Sequence, residues 1–185
     1  MRGVLRAVAG SAAVSAVLSA GVGTAGTAGA GTQTRSQSDL GEVRAATARF
    51  TDVATAQAVG YGLLVDAADI ACIDNPAGGM GIHYVNVDLV LDPTLDPAKP
   101  EVLVYEPDKH GNLKLAAVEY VVFESDWQEN HPPSLFGEQF HRMPGASEAE
   151  PQNRYGLPAF YELHAWVWKN NPSGTFQDWN PKVSC

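Results

Sequence analysis

The sequence predicts an α+β fold: a mostly antiparallel sheet, or a small barrel, with one or two helices at its N-terminal side. Three observations predict it. Four strand-length apolar stretches lie between residues 81 and 169: GIHYVNVDLV, EVLVYEP, LKLAAVEYVVF and FYELHAWVWK. Two of them flank DKHGN, a good hairpin turn. Helical signals with caps lie in the segment before Tyr61, where Thr51 is suited to cap DVATAQAVG and Gly60 to stop it.

The remaining elements follow in chain order. Arg2 and Arg6 precede an apolar run from Val8 to Val22, and Ala28-Gly29-Ala30 supplies a small-x-small pattern. This three-part pattern is that of a secretory signal peptide over residues 1–30, cleaved before Gly31. The apolar run is too short for a comfortable membrane span. An extracellular protein free of the membrane after cleavage is the expectation. Residues 31–44 are read as a flexible lead-in and 45–185 as a single globular domain, a length that suits one sizeable core. YGLLVD is a short candidate strand, ADIACIDNPAGGMG a turn-rich loop, and LDPTLDPAKP a proline-broken connection. The stretch 124–158 is long, polar and proline-containing, the character of a lid or binding loop. An irregular tail, NNPSGTFQDWNPKVSC, ends the chain. Only LKLAAVEYVVF admits a competing helical reading, because Leu, Lys, Ala and Glu all suit helices.

Charge narrows the partners. The chain carries −9, and losing Arg2 and Arg6 with the leader takes it to −11. Nucleic acid and anionic membrane both call for a basic surface and are not expected partners. The two cysteines, Cys72 and Cys185, form an even pair, which outside the cell reads as a disulfide. A cysteine metal site is the weaker alternative, since no CxxC spacing occurs.

Chemistry enters through three residues. His83, Glu119 and His164 each stand among apolar neighbours on one strand face. His83 alternates in step with Val85, Val87 and Leu89. Glu119 does so with Leu113, Leu115, Ala117, Val121 and Phe123, and His164 with Phe160, Glu162, Trp166 and Trp168. Buried polar groups are costly unless paired or ligated. If the three faces point inward together, two imidazoles and one carboxylate share a pocket. That is the donor set of a thermolysin-like zinc site or of a facial iron triad, and the cofactor it implies is a divalent metal ion: zinc, iron or copper. No HExxH spacing supports it. Taken singly, each residue has a plainer role: a core imidazole bonded to a backbone carbonyl, or a carboxylate partnered with an Arg. His131 and His141, in the long loop, are candidates to cover the site. No serine elbow, Cys/His pair or dinucleotide fingerprint is present.

The motifs GGMGIHYVN, PEVLVYEP with VEY, SLFGEQFH and YELHAWVWKNNPSGTFQDWNPKVSC together resemble a family of secreted bacterial proteins of unassigned function. The resemblance runs from Ala45 to Cys185. It implies one intact domain with a docked C-terminus, and it brings no activity, fold or ligand. Three functions stay open: a secreted domain binding a metal ion or small ligand in the His/Glu/His pocket, a metal-dependent hydrolase, lyase or oxygenase using the same pocket, or a structural or interaction protein with a buried polar network. Whether the chain is an enzyme is left open.

Overall fold

A computed structural model describes residues 28–148 and 152–185, with side chains from residue 38 onward. The expected leader lies outside these residues except for its last three, which open helix α1 (Ala28–Thr47). The segment 31–44, expected as a lead-in, also lies in α1. A 3₁₀ turn (Ala48–Thr51) and a short helix α2 (Val53–Gln57) follow. The cap of α2 is Asp52 and not Thr51: the Asp52 carboxylate accepts the Ala54 N–H at 3.1 Å, while the Thr51 hydroxyl turns back to the Ala48 carbonyl. Gly60, at φ +103°, then turns the chain into the sheet.

The strands are β1 (Tyr61–Leu63), β2 (Cys72–Asn75), β3 (Gly78–Asn86), β4 (Val102–Pro107), β5 (Leu113–Phe123), β6 (Ser134–Leu135), β7 (Glu138–Gln139), β8 (His141–Met143) and β9 (Phe160–Ala165). Seven of them form one antiparallel sheet in the order β1-β3-β4-β5-β9-β8, with β2 also paired to β3. Its two ends stay apart, so it is an open sheet and not a barrel. LKLAAVEYVVF is a strand, β5, and not a helix. In the β4–β5 hairpin Asp108 Oδ1 accepts from the His110 and Asn112 N–H groups, and Gly111 takes φ +80°.

One face of the sheet carries Tyr84, Leu103, Tyr105, Val118, Tyr120 and Leu163 and is packed by Val43, Phe50 and Ala56 from the front helices. Its tyrosine hydroxyls are satisfied: Tyr105 donates to the Phe50 carbonyl and Tyr120 to that of Pro97. The opposite face carries Val102, Val104, Ala117 and Trp166 and is packed by Val183 of the tail. His83, Glu119 and His164 belong to this second face, by the pairing Glu119↔His164 and Val102↔Glu119, with His83↔Val104 one row along.

Three departures from simple alternation matter. In β5 the register shifts between Val104↔Ala117 and Tyr105↔Leu115, leaving Ala116 as a bulge. Leu113 and Leu115 therefore join the tyrosine core, while Ala117, Glu119 and Val121 stay on the site face. They do not share one face, as uninterrupted alternation predicts. Second, GIHYVNVDLV stops being a strand at Asn86, whose side chain accepts the Asp88 N–H and starts a helical turn, α3 (Val87–Val90). Val87 and Leu89 thus leave the His83 row. Third, β9 ends at Ala165, after which Trp166 packs on the site face and Trp168 on the tyrosine face.

The described parts of the loop, 124–148 and 152–158, are tied down. Asn153 is buried and bonds the carbonyls of Pro144 and Leu157 through Nδ2. Arg154 pairs with Asp66 at 2.6 Å, and Arg142 with Glu124 and Glu148. Cys72 and Cys185 are disulfide-bonded, with Cα atoms 5.6 Å apart. Among the described residues no helix is long and apolar enough to cross a membrane.

Candidate metal centre

β3 delivers His83, β5 Glu119 and β9 His164, each from a strand inside the sheet. Two glycines let β3 come in close. Gly81 adopts φ +99°, and a Cβ there would stand 2.6 Å from the Tyr105 carbonyl oxygen. A Cβ on Gly79 would meet the Val183 side chain at 2.7 Å. The glycine run before His83 is therefore needed for the close packing of strand against strand and tail.

One donor atom from each of the three residues lies within 4.8 Å of the others. His83 Nε2 and Glu119 Oε2 are 3.5 Å apart. Donors on a tetrahedron with bonds of about 2.0–2.2 Å are separated by roughly 3.3–3.6 Å, so this pair already has ligand spacing. The trio is almost fully enclosed: 2 % of His83, 5 % of Glu119 and 1 % of His164 is exposed. Among the described residues none of the four ring nitrogens has a hydrogen-bond partner. An imidazole held in the core by a carbonyl is thus not what the structure contains. Leaving buried donors and acceptors unpaired costs about 1–3 kcal/mol each, and an ion shared by the trio would relieve one nitrogen on each ring. His164 also stacks on Trp166, ring centres 4.8 Å apart, which fixes its plane.

The electrostatics favour a cation. Burial, reinforced by the Arg154 charge, holds His83 down at about 4, and burial with the neighbouring His83 holds His164 well below its usual value. Both rings are therefore neutral at physiological pH, the state that binds metal. Glu119 is pushed well up by burial and then by the charge of Glu162. Glu162, 6 % exposed, is raised to about 7 by burial, opposed by its hydrogen bond with Glu119. Two carboxyls that hydrogen-bond to each other hold a proton between them. A divalent ion would displace that proton from Glu119 and supply the missing positive charge.

Glu162 is the site neighbour that sequence reasoning did not single out. Its signal was present: it is two residues from His164 on the same strand face. Tyr155, in the long loop, is a second, and it lines the cavity beside His83 and Glu119. No periodicity marks it. The expected covering histidines lie elsewhere. His131 is exposed, with Glu129 3.8 Å away, and His141 is exposed on β8, 3.7 Å from Asp178. Neither lines the cavity; Tyr155 and Leu157 of the same loop do.

Comparison with protein-family models, with curated proteins and with solved structures finds no match to this chain.

Proposed function

We propose that this is a secreted metal-binding domain in which His83, Glu119 and His164 ligate one divalent ion. The observation that carries the reading is the set of four buried imidazole nitrogens without hydrogen-bond partners among the described residues, one of them at ligand spacing from a carboxylate. A structural hydrogen-bond network would have paired those nitrogens. Two imidazoles and a carboxylate suit zinc or ferrous iron, with copper a further fit for the imidazoles. His83 and Glu119 line a cavity and His164 does not, so three protein ligands leave the cavity side as the natural place for an exchangeable ligand. That feature favours a binding or catalytic ion over a purely structural one. The disulfide and the leader pattern in the sequence support secretion.

Metal analysis of protein purified from the culture medium tests the proposal. About one equivalent of a transition metal is expected, and His83→Ala and His164→Ala should each lose it while keeping the far-ultraviolet dichroism of the parent. Metal content unchanged in both folded variants would remove these residues as ligands.

A further inference from the structure

We propose that the metal centre takes a small apolar carboxylate, its head on the ion and its hydrocarbon body in the groove between β1, β3 and α3. The inference rests on the metal reading above and deepens it. Two adjoining spaces with shared walls carry it. The inner chamber, about 70 Å³, has His83 and Glu119 in an otherwise apolar wall that includes Leu64, Val102 and Tyr155. The outer groove, about 350 Å³, shares Leu64, Val85, Val90, Phe123 and Leu157 with the chamber. Among the described residues no charged or polar side chain lines the outer groove.

Size assigns each part of the ligand. A dry cavity of about 150 Å³ holds a benzene ring, and small-molecule sites run from about 300 Å³ upward. The inner chamber therefore admits only a head group, while the groove has the volume of a ligand pocket. Exposure points the same way. Leu63, Val87 and Leu91 are 51 %, 61 % and 64 % exposed, and these three, of six exposed large apolar side chains, rim this one groove. The break of β3 at Asn86 puts them there, because α3 turns Val87 outward while Val90 enters the wall.

Charge assigns the head. Two neutral imidazoles and one carboxylate leave one positive charge on a divalent ion. Glu162 meets the centre through Glu119 and does not line the chamber, so among the described residues the chamber wall offers no anion besides Glu119, and a carboxylate oxygen is the donor that suits the ion on that side.

Cobalt(II) loading of the mature protein, followed by titration with octanoate while the visible cobalt spectrum is read, tests this. Octanoate should change the spectrum saturably. Each added methylene buried in the groove should tighten binding about threefold to fourfold, so acetate should bind roughly a hundredfold or more weaker than octanoate. Leu91→Asp should weaken octanoate tenfold or more, with cobalt uptake read in the same samples. Equal binding of acetate and octanoate, no spectral response, or octanol binding as tightly as octanoate each overturns the proposal. Cobalt uptake with no response to octanoate overturns this inference alone. Absence of cobalt uptake overturns the metal reading and this inference with it.

Discussion

At the scale of single residues, the protein keeps several ionisable groups in their uncharged forms. Glu101 is 1 % exposed, and Oε2 accepts the Val121 N–H at 3.1 Å, extending the β4–β5 ladder by a side chain. Burial, with Asp92 and Asp96 nearby, pushes its pKa up to about 8. A raised folded-state pKa stabilises fully below the unfolded value, near 4.5, and that stability is lost as pH rises through 8. Glu101→Gln keeps an acceptor and removes the charge. Its advantage in thermal stability should be smallest near pH 5 and grow to as much as roughly 4–5 kcal/mol by pH 9. A constant difference between parent and variant across that range would refute the account. His83 acts in the opposite sense in metal-free protein. Its pKa is depressed to about 4, so its contribution is complete above about 6.5 and is lost as pH falls toward 4. At this scale the sequence was informative about residue type and face, because one polar residue in an apolar period-2 run is visible without coordinates. It was silent on Glu101, which stands outside any alternating pattern, at the mouth of its strand.

Among the elements, what decides the site is where strands break. The Ala116 bulge in β5 moves Leu113 and Leu115 to the tyrosine core while leaving Glu119 beside His164. Nothing in LKLAAVEYVVF marks the bulge, because both faces of this central strand are buried and read apolar alike. The helical turn after Asn86 was equally hidden, since VDLV suits strand and helix. Its only cue is Asn86 itself, a residue that caps. Gly81 was the most legible of these features, lying in a glycine run before His83. With φ +99° and the Tyr105 carbonyl across from it, Gly81→Ala should destabilise by about 2–3 kcal/mol. Because Gly81 is two residues from His83 on β3, any shift of the strand also moves a proposed ligand. Metal affinity should therefore fall together with the denaturation midpoint. A Gly81→Ala protein of parental stability would show that the strand yields there without strain.

For the molecule as a whole, the question is what holds the tail over the site face. The α+β class with its mostly antiparallel sheet and the Cys72–Cys185 bond were legible in the sequence, through alternation, turn chemistry and the parity of two cysteines; whether the sheet stays open or closes into a barrel was not. How the tail docks was not, because it has no periodicity and its contacts are made residue by residue. Asn180, fully buried, exchanges two backbone hydrogen bonds with Gly79, at 3.1 and 3.0 Å. Asn171 Nδ2 bonds the Trp179 carbonyl, and Trp166 Nε1 donates to Gln177. Val183 sits in the cluster with Val104 and Trp166. The disulfide closes a loop with a sequence separation of 113 that encloses these contacts, a span for which loop-closure entropy gives about 4–5 kcal/mol as an upper figure. Cys185→Ser should therefore lower stability by roughly 2–5 kcal/mol. Because the tail is pinned at Asn180 and Val183 independently of the disulfide, the folded variant should keep its metal and its Trp166 fluorescence environment. Unfolding in denaturant reads the first, and metal content with emission in native buffer reads the second. Loss of metal from the folded, disulfide-free protein would mean that the covalent link, and not the packing of the tail, keeps the site face closed.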